Sequence, residues 1–148
     1  MLSGGCTCGS IRYEYEDDPI LSYKCHCLDC QASSGSGFVT LFWAWKKSYR
    51  YTVGKPRFSV TKGSSGKDVS RGFCRGCGNP IDVALGVLPQ IVGIVASSLD
   101  DPSLFAPKYE VWTSRAQHWD LLDLGLEQVE GNFTGEIIQQ HLSGAAGA

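Results

Sequence analysis

The sequence predicts an all-β fold, and three observations lead to this prediction. Short segments rich in β-branched and aromatic residues recur along the chain, a composition typical of strands. Glycine and proline, which account for 18 and 6 of the 148 residues, separate these segments where turns are expected. Evidence for helix is thin and concentrates in a short stretch near the C-terminus.

The individual elements follow from local patterns. Residues 11–15 alternate apolar and polar side chains with the two-residue period of a strand. Residues 37–45 are rich in β-branched and aromatic residues, which predicts a long strand. A last strand is expected at residues 108–112, and residues 135–142 have the composition of a helix of two turns.

Two hairpins are predicted between these elements, because each pair of apolar segments flanks a turn that contains glycine and proline. Their strands are residues 49–53 with 57–61 and residues 81–85 with 90–96. Residues 33–37 and 63–68 are rich in glycine and serine and are expected to form loops.

Length and composition set the broad class of the protein. A chain of 148 residues is most simply one domain, which we assign to residues 1–142, with residues 143–148 as a flexible tail that has little to bury. A formal net charge of −2 argues against nucleic-acid binding. No apolar run approaches the ~20 residues that span a bilayer. The start of the chain lacks a signal-peptide pattern, so we expect a cytoplasmic location; the oligomeric state stays open.

Seven cysteines in three clusters are the most informative feature of the chain. The clusters are Cys6 with Cys8, Cys74 with Cys77, and Cys25, Cys27 and Cys30. Cysteines at such spacings let neighbouring sulfurs converge on one tetrahedral ion, and soft sulfur ligands favour zinc or another thiophilic metal. An odd number cannot be fully paired as disulfides within one chain. The number suggests four sulfurs for a closed site and three for a site with an open position.

The two outer pairs have the character of a structural clamp. Glycines flank both pairs, and tight turns with positive φ require glycine. Two cysteine pairs far apart in sequence can form a zinc-ribbon-like site that contributes folding energy. The spacing alone leaves the pairing of the clusters open.

The middle cluster has the spacing of a site with one free position. Cys25, Cys27 and Cys30 are close enough to bind one ion from a single loop, and three ligands leave the fourth tetrahedral position for water or substrate. We interpret His26 as a neighbour of the site rather than a ligand, because its side chain in an extended loop points away from the two flanking cysteines. His118 is a possible acid–base group or an ordinary surface residue, and His141 is expected to be solvated.

Three other interpretations of the cysteines compete with metal binding. Cysteine is often a small buried hydrophobe, although three clusters in one short chain argue against that explanation. A redox dithiol fits Cys74 and Cys77 alone. An iron–sulfur cluster would need four ligands at suitable spacing.

The cysteine motifs resemble those of a known family. Residues 4–9 (GGCTCG), residues 25–30 (CHCLDC) followed by residues 32–35 (ASSG), and residues 73–78 (FCRGCG) are similar to the motifs of the glutathione-dependent formaldehyde-activating enzymes. That family also includes centromere protein V-like proteins. The resemblance extends from about Gly4 to Trp119.

This resemblance implies a β-tent fold, the twisted sheet of Mss4-like proteins, and two zinc ions per chain. It implies a structural zinc at Cys6, Cys8, Cys74 and Cys77. It implies a catalytic zinc at Cys25, Cys27 and Cys30. The activity it implies is that of a carbon–sulfur lyase, which joins formaldehyde and glutathione into S-(hydroxymethyl)glutathione. The implied partner is a small thiol such as glutathione.

Residues outside the cysteine clusters are weaker candidates for substrate contacts. Glutathione carries two carboxylates, so basic residues near the clusters are of interest, although ordinary surface charge is the simpler explanation for each one: Lys24, Arg71, Arg75 and Arg115. The four tryptophans could line a pocket or belong to the core: Trp43, Trp45, Trp112 and Trp119. Gln31 stands where many family members carry a basic residue, which weakens the case for an anionic ligand there.

Two alternative functions remain open at this level. The chain could be a zinc-stabilised binding module without catalysis, or a zinc-buffering or thiol-responsive protein that uses Cys25, Cys27 and Cys30.

Overall fold

A computed structural model describes residues 1–145, and within them the protein is built mostly from short strands. The elements are β1 (Leu2–Gly5), β2 (Arg12–Tyr15), β3 (Leu21–Cys25), α1 (Leu28–Ser34), β4 (Val39–Trp45), β5 (Tyr49–Val53), β6 (Arg57–Lys62), β7 (Asp68–Phe73), β8 (Pro80–Leu85), β9 (Ile91–Val95), β10 (Tyr109–Val111), β11 (Glu127–Val129) and α2 (Gly135–Ala145). The all-β prediction is confirmed. Neither described helix is long and apolar enough to cross a membrane.

The chain divides into two compact units. The first unit comprises Met1–Pro19 and Phe42–Phe105, and the second comprises Ile20–Leu41 and the chain from Ala106 onward. Strand β4 passes from the second unit into the first. The single domain over residues 1–142 stays a prediction.

The first unit contains two sheets around an apolar core. One sheet has the order β1-β2-β5 with antiparallel pairing. In the other, β6, β7, β8 and β9 form an antiparallel meander that ends against β4. The core residues are largely the inward side chains of these strands, and they include Tyr13, Tyr15, Phe42, Ile81 and Ile94. Two of the cysteines, Cys6 and Cys74, are buried within this core.

The second unit is organised by parallel pairing. Its strand order is β4-β3-β10-β11, and β10 runs parallel to both β3 and β11. Helix α1 follows β3 after two residues and ends at Gly35, whose left-handed φ of 67° caps the helix. Phe133 packs edge-on against Tyr23 and Tyr109. Tyr109 also contacts the C-terminal helix, through a 3.0 Å hydrogen bond with His141.

The predicted hairpins had different outcomes. Strands β8 and β9 pair antiparallel, which confirms the second hairpin. The first prediction is wrong, because β5 pairs with β2 while β6 pairs with β7. The glycine–proline turn at residues 54–56 therefore joins two different sheets. A local turn signal shows where the chain bends, but not which strand lies beside the next one.

The sequence patterns did not predict several of these elements. Strands β1, β3, β7 and β11 are short or contain glycine and charged residues, and helix α1 is only seven residues long. The predicted loop at residues 33–37 begins as the last turn of α1. The predicted C-terminal helix continues to Ala145 and so includes the first part of the expected tail. The rest of that tail, residues 146–148, lies outside the described residues.

Candidate metal centres

The first unit brings together the sulfurs of Cys6, Cys8, Cys74 and Cys77, which we call the four-cysteine site. These sulfurs all lie within 4.8 Å of one another. The Sγ atom of Cys8 is 3.5 Å from that of Cys6 and 3.6 Å from that of Cys74. A tetrahedral zinc with Zn–S bonds of about 2.3 Å places its sulfurs about 3.8 Å apart. The separations therefore match a closed tetrahedral ion.

Two similar turns build this site. In the first, the Cys6 amide donates to the carbonyl of Ile11, and the Gly9 amide donates to the carbonyl of Cys6. In the second, the Cys74 amide donates to the carbonyl of Asn79, and the Gly78 amide donates to the carbonyl of Cys74. Gly9 and Gly78 have φ angles of 77° and 78°, respectively. These values explain the glycines predicted there, because a side chain is strained in this left-handed region.

Hydrogen bonds reach the sulfurs of Cys6 and Cys77 and link the two turns. The Ile11 amide donates to Cys6 Sγ at 3.2 Å. The backbone amides of Asn79 and Cys8 lower the pKa of the Cys77 thiol to about 6. The side chain of Asn79 accepts from the Thr7 amide at 2.8 Å and from the Thr7 hydroxyl at 2.7 Å. One amide side chain therefore ties the second turn directly to the first.

The second unit brings together Cys25, Cys27 and Cys30, which we call the three-cysteine site. Their sulfurs also lie within 4.8 Å of one another. Cys25 ends β3 beside Val111 of β10. Cys27 is the N-cap of α1, where its sulfur accepts from the Cys30 amide at 3.3 Å.

This arrangement differs from the single extended loop expected from the sequence. The motif spans the end of a strand, an N-cap and the first turn of a helix. Hydrogen bonds with the Cys27 and Cys30 thiols, together with burial, raise the pKa of the Cys25 thiol well above its ordinary value. Three thiols this close together favour binding of one shared cation, which would take the place of their protons. Both cysteine sites could hold a metal ion.

His26 lies between two of these cysteines and is fully buried. It is not part of the sulfur group. Its Nε2 atom lies 3.3 Å from Oε1 of Glu110, in hydrogen-bonding geometry. Its Nδ1 atom lies 3.0 Å from Oδ2 of Asp120, but neither of these two atoms has a hydrogen bond within the described residues. The backbone amide of His26 donates to the carbonyl of Val111 at 3.0 Å.

Glu110 is the centre of a buried polar network behind the three-cysteine site. Lys24 forms a 2.7 Å ion pair with it and lies over the ring of Phe38. Burial alone would raise the pKa of Glu110, but hydrogen bonds from Lys24 and Gln128 outweigh burial and hold it below its ordinary value. Lys24, which the sequence suggested as a contact for a substrate carboxylate, is therefore engaged within the protein.

Gln31 ties the helix of the three-cysteine site to a later segment. Its amide nitrogen donates to the carbonyls of His26 at 2.7 Å and Arg115 at 2.9 Å. Its amide oxygen accepts from the Gln117 side chain at 3.1 Å. Gln31 thus has a defined structural role in this unit. The side chain of Arg115 is exposed and lies on the segment that Gln31 holds.

The remaining candidates are divided between the two units. Arg71 and Arg75 belong to the first unit, where Arg71 donates to the Thr61 hydroxyl and Arg75 is exposed. Trp43 and Trp45 also lie in the first unit, whereas Trp112 and Trp119 lie in the second.

Trp112 follows β10 directly and has a left-handed φ of 56°. A non-glycine residue in this region costs about 1–3 kcal/mol. Its amide donates to the Gly131 carbonyl at 3.1 Å, and its indole donates to the Asn132 side chain at 2.9 Å. The surrounding structure therefore holds this residue in a strained conformation next to the strand that flanks Cys25.

The histidines outside the motif also have defined environments. His118 is exposed. The expectation of a solvated His141 is wrong, because its ring is half-buried and hydrogen-bonded to Tyr109. Sequence reasoning missed Asn79, Glu110 and Asp120. Asn79 follows the Cys74–Cys77 turn and could have been suspected as a cap, whereas no local pattern points to Asp120, 94 positions after His26.

The chain was compared with known proteins in three ways. A search of the curated proteins found no match. Among solved structures, the chain is similar to a Rhodobacter sphaeroides protein whose crystal structure was determined in structural genomics. The two are 20% identical with a TM-score of 0.54, over 66% of this chain and 87% of that chain. This likeness shows a shared fold. The family model described as glutathione-dependent formaldehyde-activating enzyme matches residues 1–115. The chain therefore belongs to the glutathione-dependent formaldehyde-activating enzyme family.

Proposed function

We propose that this protein is a zinc-dependent, carbon–sulfur lyase-like enzyme that acts on a small thiol adduct. The lead reaction joins formaldehyde and glutathione into S-(hydroxymethyl)glutathione. The observation that carries the proposal is the grouping of three sulfurs at the start of α1, separate from a group of four in the first unit. Three ligands are the usual protein contribution to a catalytic zinc, and four are usual for a structural one.

The two cysteine sites divide the work in this proposal. Cys6, Cys8, Cys74 and Cys77 hold a structural zinc that joins two distant turns of the first unit. Cys25, Cys27 and Cys30 hold the catalytic zinc in the second unit. The sulfur donors and their separations fit zinc at both sites.

The chemistry requires a deprotonated thiol and a held electrophile. When bound, zinc would supply a Lewis acid that favours a thiolate at neutral pH. The thiol sulfur adds to the formaldehyde carbon, so that a C–S bond forms and the C=O double bond becomes a single bond. The oxygen takes up a proton equivalent to the one lost by the thiol. The protein contributes proximity and orientation, for which β3 and α1 fix the positions of the three sulfurs.

The location and partner belong to the same proposal. The substrate class is a small thiol such as glutathione, and the location is the cytoplasm. The cytoplasm keeps cysteines such as these reduced. Arg115 is an exposed cation on a segment attached to α1 through Gln31. It is the better candidate for a substrate carboxylate than Lys24, which is paired with Glu110.

Two measurements test the proposal. Elemental analysis should find two zinc ions per chain. NMR exchange spectroscopy should show faster interconversion of free and glutathione-bound formaldehyde with the protein than without it. Cys27→Ser should abolish the acceleration, and Asp29→Ala, an exposed change in the same helix, should retain it. An exchange rate that the wild-type protein leaves unchanged would contradict the reaction and would favour a non-catalytic zinc module.

A further inference from the structure

The three-cysteine site lies next to two buried polar atoms that are close together but not hydrogen-bonded. His26 Nδ1 and Asp120 Oδ2 are buried 3.0 Å apart, and neither has a hydrogen-bond partner in the described chain. Their separation suits a hydrogen bond, although the alignment in the structure does not. Buried polar atoms are nearly always paired. One proton shared between nitrogen and oxygen would complete this pair after a small rotation of either side chain.

The position of Asp120 is imposed by its surroundings. Its amide donates to the Gln117 carbonyl at 3.0 Å, and the Gln117 side chain is hydrogen-bonded to Gln31 of α1. Gly37 leaves the space that the carboxylate occupies, because a Cβ atom there would overlap Asp120 Oδ2. Helix α1, the turn after it and the later segment thus converge to place one carboxylate against His26.

Asp120 lies outside the region that defines the family. The family match ends at residue 115, and Asp120 follows it by five positions. The contact to His26 is therefore made by a segment beyond the shared motifs. His26 itself stands between Cys25 and Cys27, so an immobile ring also restrains the backbone that carries both sulfurs.

We propose that Asp120 and His26 form a positioning pair that preorganises the three-cysteine site for its metal. The imidazole is held on one side by Glu110 and on the other by Asp120. Groups that orient metal ligands from outside the coordination sphere typically contribute about 10- to 100-fold in metal affinity. The inference rests on the proposed function only in that a metal binds at Cys25, Cys27 and Cys30. It assigns Asp120 no contact with substrate.

Three variants test the pair, and the readout is metal affinity rather than activity. Asp120→Ala removes the carboxylate. Gly37→Ala displaces it without changing either partner, and alanine is compatible with the backbone because Gly37 does not adopt a left-handed φ. Asp120→Asn keeps a hydrogen-bonding group at the same place. Asp29→Ala is the matched control, because it removes an exposed carboxylate from α1 between Cys27 and Cys30.

Zinc affinity of the second site is measured by competition with a chelator of known affinity. Cobalt substitution adds a thiolate-to-metal absorption band that reports the site's geometry. We expect Asp120→Ala and Gly37→Ala to weaken the second ion by about 10- to 100-fold and to alter its cobalt spectrum, while the first ion stays bound. Asp120→Asn should recover most of the affinity, and Asp29→Ala should bind as the wild type does.

Two results would contradict the proposal that Asp120 and His26 form a positioning pair. Second-site affinity within twofold of the wild type in Asp120→Ala would do so, as would equal weakening in Asp29→Ala. If Asp120→Ala fails to fold, Gly37→Ala decides by the same criterion. Failure of the proposed function is recognised separately, because the wild type would then bind its second zinc without accelerating the formaldehyde exchange.

Discussion

The two cysteine sites use the same ligand in opposite structural situations. The four-cysteine site joins turns far apart in sequence, and its sulfurs of Cys8 and Cys74, which are 3.6 Å apart, belong to residues 66 positions apart. The three-cysteine site is assembled within six consecutive residues, Cys25 to Cys30. Closing a long loop costs conformational entropy that a metal can offset. Forming a local cluster closes almost no loop and therefore costs little conformational entropy. A metal should therefore stabilise the fold at the first site and leave it nearly unchanged at the second.

The groups behind the sulfurs differ in the same direction. Backbone amides and the Asn79 side chain support the four-cysteine site, so its geometry follows from the fold of the two turns. A buried side-chain network of His26, Glu110 and Lys24 lies behind the three-cysteine site. Such a network can position the segment that carries the ligands without itself contacting the metal. The fold should therefore depend on the four-cysteine site, whereas it should only support the three-cysteine site.

The largest expected effect is that of Cys74→Ser. Cys74 is buried in the core of the first unit and provides one of four sulfurs. Structural zinc contributes on the order of 10–16 kcal/mol of apparent binding free energy in small zinc domains, so we expect the variant to unfold or aggregate. Thermal unfolding followed by circular dichroism, with metal content on the same sample, measures this. A melting temperature close to that of the wild type would remove the distinction between the two sites.

Cys27→Ser should lose one zinc and the activity while the protein stays folded. Serine is among the best N-cap residues, so its hydroxyl can replace the thiol as acceptor for the Cys30 amide. We expect a change of less than about 1 kcal/mol in the free energy of unfolding, with metal content reduced from two ions to one. Denaturant unfolding and elemental analysis check both parts. Loss of both ions would show that the sites are coupled.

Asn79→Ala should weaken only the four-cysteine site. It leaves the Thr7 amide and hydroxyl without their common acceptor, and we expect a loss of about 1–1.5 kcal/mol in the free energy of unfolding, because water replaces part of these two exposed bonds. Titration with a chelator should then remove the first zinc earlier, with the second unaffected. Thr61→Ala, a change in the exposed strand β6 of the same unit, serves as the control. An unchanged first site would show that the backbone turns alone position the sulfurs.

The smallest effect is expected for Gln31→Ala. The change removes the hydrogen bonds to the carbonyls of His26 and Arg115, which are near enough to the surface for water to replace part of them. We expect a loss of about 0.5–1.5 kcal/mol in stability and a modest decrease in second-site affinity. Isothermal titration with zinc measures the affinity, and Asp29→Ala, an exposed change in the same helix, is the control. If Gln31→Ala weakened binding of the first zinc alone, Gln31 would have to be assigned to the four-cysteine site instead.

Sequence patterns predicted the strands with strong local signals. Residues 37–45 and the hairpin at residues 81–96 were recognisable because alternation, β-branched residues and turn residues act over a few positions. Strands β1, β3 and β11 were not, because their pairing partners supply what their own composition lacks. The turn at residues 54–56 shows the same limit, since sheet membership depends on contacts far along the chain.

The sequence by itself determined the grouping of the cysteines, because ligand type and spacing are local properties and the glycine-bearing turns follow from them. It also determined the all-β class. Only the tertiary structure decided that Cys27 caps a helix, that Lys24 is neutralised by Glu110, and that Asp120 faces a buried His26. The last two contacts join residues 86 and 94 positions apart, and such proximity arises from parallel pairing of β3 with β10, which leaves no periodic trace in the sequence.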